Sequence, residues 1–214
     1  MDRNLIARAW FAVTALVVLT GVVVQLAVTA QTTGGRFDSP VAKVANVFCY
    51  FTILSNLLIG ATSLLLALDT DRRSAVFRTL RLDGALAIAV TGVVFHIALA
   101  GLQELTGYAA LADALLHTVS PIMGVLGWLL FGPRGAITPR IVRWSLAYPL
   151  AWLAFTMVRG ALTDFYPYPF LEAFRIGYLR VTLNCLLVAV LFLGLAALTM
   201  LLDRKLTRQP QNAQ

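Results

Sequence analysis

Two histidines, two cysteines and 10 acidic side chains are all that 214 residues contain of those types. Each shortage removes a class of protein. Cys49 and Cys185 stand in separate apolar stretches with neither CxxC nor metal-ligand spacing, so no disulfide framework or metal site is expected. Both read as small buried hydrophobes. Charged residues make up 13% of the chain against 59% hydrophobic, and the mean hydropathy is +0.81. That is too little polarity to coat a soluble domain. Heptads, low-complexity tracts and internal repeats are also missing. What the chain does have is long apolar runs, and these predict an all-α integral membrane protein.

Cutting the sequence at its Gly, Pro and charge clusters leaves six runs long enough to cross a bilayer. They are roughly Leu5 to Ala27, Lys43 to Leu68, Asp83 to Leu102, Ala109 to Phe131, Ile141 to Gly160 and Phe174 to Leu202. A single membrane domain over residues 1–214, built as a six-transmembrane-helix bundle, is the expected architecture. The net charge of +7 does not point to nucleic acid, because the basic residues collect at the ends of the apolar runs. Arg3 and Arg8 precede the first. Arg72, Arg73, Arg78 and Arg81 fill the second loop, Arg134, Arg140 and Arg143 the fourth, and Arg204, Lys205 and Arg208 the tail. By the positive-inside rule both termini are cytoplasmic, in a multi-pass protein of the cell membrane. Val28 to Ala30 resembles a signal-peptidase site, but the apolar run before it exceeds the usual signal length, so a retained helix is expected.

Ionisable and polar groups inside hydrocarbon are costly and mark functional sites by default. Both histidines, the side chains best suited to proton transfer near neutral pH, fall in apolar runs. At the helical rise, Thr52 lies about 14 Å from the outer surface, His117 about 12 Å, His96 about 9 Å and Asn184 about 15 Å. Four runs therefore bring polar groups to one layer. Helical phase puts Thr52, Ser55 and Asn56 on one face, and likewise Asp113 with His117, Arg180 with Asn184, and Trp152 with Thr156 and Arg159. The plain alternatives are interhelical or back-bonded hydroxyls for Thr52 and Ser55, and a neutral packing imidazole for His117.

The chemistry this layer suits is nucleophilic acyl transfer. A threonine hydroxyl needs a base, histidine is the usual one, and an acid one turn away fixes the imidazole tautomer. Thr52, His117 and Asp113 match those roles. Asn56 and Asn184 are candidate oxyanion donors, since a side-chain amide can donate to developing negative charge. His96 is a candidate substrate contact.

Three motifs then appear in order: Tyr50-Phe51-Thr52 opening an apolar helix, His117-Thr118-Val119-Ser120-Pro121, and Tyr168-Pro169-Phe170-Leu171-Glu172 after the fifth run. In these, and in span number, nearly the whole chain resembles the androgen-induced-gene-like proteins, in their bacterial six-transmembrane branch. Animal members are intramembrane threonine hydrolases that cleave fatty-acid esters of hydroxy fatty acids. The resemblance implies that their threonine and histidine roles fall on Thr52 and His117. Departures are Ser55 and Asn56, where animal members carry Asp or Asn three residues after the threonine, and Asp113, where they tend to carry Asn.

A lipid ester would reach such a site laterally, with no cofactor. Its free carboxylate would need a cation near the interface, and Arg159 and Arg180 are the candidates; snorkelling to headgroups is their plainer role. The aromatic, Pro-rich loop from Asp164 to Phe170 is expected as an interfacial anchor, with a lid as the second reading. Two other functions fit the same sequence. One is a non-catalytic lipid sensor or carrier, and the other is a haem protein ligated by His96 and His117.

Overall fold

The computed structural model describes residues 2–135 and 137–208. No strand occurs among them, and six helices are long and apolar enough to cross a bilayer. These spans, first to sixth, are Arg3–Gln31, Phe51–Leu68, Ala75–Leu99, Gly107–Phe131, Pro139–Thr163 and Tyr178–Thr207. The chain is a multi-pass membrane protein with the all-helical fold expected from its hydropathy.

Three helix starts differ from expectation, each for a local reason. The second run is not continuous: a short helix, Pro40–Val47, opens on an N-cap Ser39 whose hydroxyl accepts from the Ala42 amide, and the chain turns before Phe51 begins the span. The third span starts at Ala75 rather than Asp83, because Ser74 caps it by accepting from the Phe77 amide at 3.1 Å. Arg78 and Arg81, expected in a loop, are therefore helical. The sixth span begins at Tyr178, since Gly177 at φ +80° ends a separate turn of helix, Ala173–Ile176.

Internal packing divides the chain into two compact units, Met1–Pro133 and Arg134–Gln214. In the first unit the four spans form a closed ring: first on second, second on third, third on fourth, fourth on first. Val18, Val22, Val47, Ile53, Ile59, Ile88 and Leu116 form its central cluster. Gly84 lets the third span approach the second, since a Cβ there would lie 3.2 Å from the Ile59 backbone. The third span is buried on every side from Arg81 to Ile88. Arg3, Arg8 and Arg72 reach the carbonyls of Leu130, Ala67 and Leu65, which lie at the ends of the fourth and second spans. Cations thus meet the negative ends of helix dipoles.

The second unit holds the fifth and sixth spans and the loop between them. Its loop is packed rather than free. Trp152 and Tyr168 lie 5.9 Å apart by ring centroids, Phe170 stacks on Tyr168 at 5.3 Å, and Asn184 donates to the Phe170 carbonyl at 2.9 Å. Asp203 accepts from the amides of Gly135 and Ile137, at 2.9 and 3.0 Å, and so binds the start of this unit to its last helix. Tyr166 lies directly against Gly160, where a Cβ would sit 2.1 Å from Cε1 of the ring. Gly160→Ala is therefore expected to displace the loop and cost about 1–3 kcal/mol, through overpacking, in thermal unfolding in detergent. An unchanged midpoint would show that the ring does not need that space.

Candidate active site

Both histidines of the chain lie in π-helical turns. His96 is in Phe95–Leu99, at the end of the third span, and His117 is in Leu115–Val119, within the fourth. Single π turns inside α-helices recur at functional sites because they leave backbone groups and side chains off the regular ladder. The two turns meet through Phe95, whose ring stacks on the His117 imidazole at 4.1 Å and 13°. Beside it, His96 Nε2 lies 3.1 Å from the Thr118 hydroxyl.

The imidazole is held by a residue of its own helix. His117 Nδ1 is 2.9 Å from Asp113 Oδ1 and 3.2 Å from the Asp113 carbonyl. The i, i+4 spacing anticipated this pair. A carboxylate and a carbonyl both call for a proton on Nδ1, which leaves Nε2 as the basic nitrogen of the neutral ring. The stacked Phe95 holds the ring plane.

Thr52 is buried in the first turn of the second span, next to its N-cap Tyr50. Burial in that turn exposes the hydroxyl region to the positive end of the helix dipole, an effect that a continuous run from Lys43 would not give. Asn56 links this turn to the histidine helix. Its amide donates to the Thr52 carbonyl at 2.8 Å and to the Leu116 carbonyl at 3.0 Å, while its oxygen accepts from Ser120. Both amide protons are thus taken, which corrects the expectation that Asn56 serves as an oxyanion donor. Its place is that of a clamp. The Leu116 carbonyl is available to it because Pro121, five residues on, has no N–H to offer in the π pattern. Ser55 shares a hydrogen bond with Thr91 at 2.9 Å, closing the same buried polar group onto the third span.

No protein-family model matches this chain, and no curated protein or solved structure does either.

Of the expected residues, Thr52, Asn56, His96, Asp113 and His117 belong to the first compact unit, and Arg159, Arg180 and Asn184 to the second. Asn184 lies six residues into its span, about 9 Å along it, rather than ten residues in. One of its amide protons is held by Phe170. Arg159 places its guanidinium 4.7 Å over the Phe165 ring, and Arg180 is exposed. For haem ligation both Nε2 atoms would have to turn to one iron, yet His96 Nε2 is engaged by Thr118 and Phe95 covers the His117 face.

Sequence reasoning missed Ser120, Thr91 and Phe95. Pro121 inside an apolar run was the available signal for the first, since a proline there frees a carbonyl that a neighbouring polar group must satisfy. Asn56→Leu is expected to remove the amide bonds to the Thr52 and Leu116 carbonyls and the acceptor of the Ser120 hydroxyl, lowering stability by about 1–3 kcal/mol in a detergent melt. A wild-type melting curve would show that the clamp is not needed to hold the two helices.

Proposed function

We propose that this chain is an intramembrane threonine hydrolase acting on lipid esters, of the kind found in androgen-induced-gene-like proteins, and that it works in the cell membrane. The observation that carries the reading is the 2.9 Å contact between His117 Nδ1 and Asp113 Oδ1, in the same four-helix ring as the buried Thr52. It supplies an oriented base inside an apolar protein, where a merely structural imidazole needs no carboxylate.

In this mechanism His117 Nε2 removes the Thr52 hydroxyl proton as Oγ1 attacks the ester carbonyl. The tetrahedral oxyanion forms near the N-terminus of the second span, whose dipole favours negative charge. Collapse expels the alcohol, which takes its proton from His117, and leaves an acyl-threonine. Water, deprotonated by the same nitrogen, attacks the acyl carbon, and collapse releases the carboxylic acid while His117 returns the proton to Thr52 Oγ1. Asp113 steadies the imidazolium in both halves. Fatty-acid esters of hydroxy fatty acids suit such a site, since both product halves are lipids that can leave through the bilayer.

The test is labelling of the purified chain by a fluorophosphonate probe, with hydrolysis of a branched fatty-acid ester measured in parallel. Covalent labelling competed by the ester is expected. A chain that keeps a bound lipid in mass spectrometry, and neither labels nor hydrolyses it, would instead be a lipid carrier.

A further inference from the structure

The four spans of the first unit do not end level. Gly21 of the first span packs on Leu115 and Leu116 of the fourth, where a Cβ would lie 2.8 Å from Leu116 Cδ2. Beyond that level, at the end away from the N-terminus, the first span continues to Gln31 and the fourth back to Gly107, each about 13–15 Å by the helical rise. The other two stop sooner. The second begins at Phe51, five residues before the Asn56 that bonds the Leu116 carbonyl, and the third ends at Leu99, three residues past His96. His96 is consequently exposed, although its partner Thr118 lies well inside the fourth span. Ile97 beside it is 82% exposed, so this flank of the ring is open to lipid.

The exposed ring is nonetheless held. Nε2 lies 3.1 Å from the Thr118 hydroxyl, and Phe95 meets the imidazole edge-on at 5.1 Å and 82°. Nδ1 has no hydrogen-bond partner among the described residues. With Thr118 donating to Nε2 the neutral ring carries its proton on Nδ1, and the imidazolium carries one there as well. Either form presents an N–H on the open flank. The His96 and His117 ring centroids lie 5.1 and 4.1 Å from that of Phe95, so the two imidazoles are at most 9.2 Å apart. A short methylene chain crosses that gap. Building on the hydrolase reading, we infer that His96 is a carboxylate subsite beside the catalytic histidine. It takes the free acid of a lipid ester whose ester group is attacked next to His117, and so selects acid-bearing esters over neutral ones.

An ionised acceptor makes a hydrogen bond roughly twice as strong as a neutral one does. The other charged groups at this end of the ring do not compete for it. Lys43 donates to the Thr32 carbonyl at 2.6 Å, and Arg36 has partners of its own. Glu104 and Asp113 are acidic, and Asp113 is already 2.9 Å from His117 Nδ1. Arg159, expected in this role from the sequence, stands over the Phe165 ring in the second unit.

The chain has two histidines, so NMR of isotope-labelled imidazoles reads each one separately, with His96→Phe giving the assignment. Oleate titrated into the purified full chain in detergent is expected to shift the His96 signals. Oleamide, the same acyl chain without the charge, should bind at least about tenfold more weakly, equivalent to about 1.4 kcal/mol. Thr118→Val releases Nε2 and should weaken oleate binding in the same direction by less. In turnover, His96→Phe should raise KM for an ester with a free acid to that for its primary-amide counterpart, with little change in kcat. A chain that hydrolyses no ester but binds oleate at His96 would sink the hydrolase reading and keep the carboxylate site. Equal binding of oleate and oleamide, or a His96 shift that Thr118→Val leaves unchanged, would overturn the site. Equal KM for the acid and amide esters in the wild-type chain would overturn the selectivity.

Discussion

Thr52→Ala is expected to reduce ester turnover and fluorophosphonate labelling to background, a loss of about 10³-fold or more. The substitution deletes the one atom that the mechanism asks to form a bond, and no neighbouring hydroxyl replaces it. Ser55 is on the same helix but donates its hydroxyl proton to the Thr52 carbonyl and shares a hydrogen bond with the Thr91 hydroxyl. Thr52→Ser keeps an oxygen and should retain measurable turnover, which separates loss of the nucleophile from loss of packing. The carbonyl that Asn56 grips belongs to the backbone, so the clamp survives either change. Full activity in Thr52→Ala would remove threonine catalysis from this chain.

Replacing His117 by alanine should cost turnover on the order of 10²- to 10⁴-fold, the range for a positioned general base. Asp113→Asn offers a finer test at the same place. An amide that presents its oxygen to Nδ1 keeps the proton there but gives the imidazolium no counter-charge, so Asp113→Asn should cost less than His117→Ala. Because the three groups act as one device, Thr52→Ala combined with His117→Ala should be no worse than Thr52→Ala alone. Additive losses, or a His117→Ala chain that still labels at the wild-type rate, would mean the imidazole serves packing against Phe95 instead.

Hydropathy made the six spans legible, since a bilayer demands length and apolarity before anything else. The Asp113–His117 contact was legible too, because i, i+4 neighbours on a helix meet whatever surrounds them. Arg81 was not. A charge next to an apolar run reads as the end of the run, whereas the Thr62 and Ser63 hydroxyls and the Phe11 ring, all from other helices, meet its guanidinium inside the bundle. Asn56 was legible as important and misread in role. Composition says that an amide has two protons to give, and tertiary structure alone says that backbone carbonyls take both. The break at Phe48 to Tyr50 was invisible to periodicity, which saw one apolar run where the chain makes two helices.

Each π turn closes its hydrogen bond over one residue more than an α turn, which makes it equivalent to a single-residue insertion in a helix. Removing one residue from Leu115–Val119 would restore the regular ladder and take out the bulge that sets His117 beside Phe95 and Asp113. Among homologous genes, the spacing between Asp113 and Pro121 should accordingly be held constant even where the intervening apolar letters drift, and in-frame codon deletions there should be lost from the population while conservative substitutions persist.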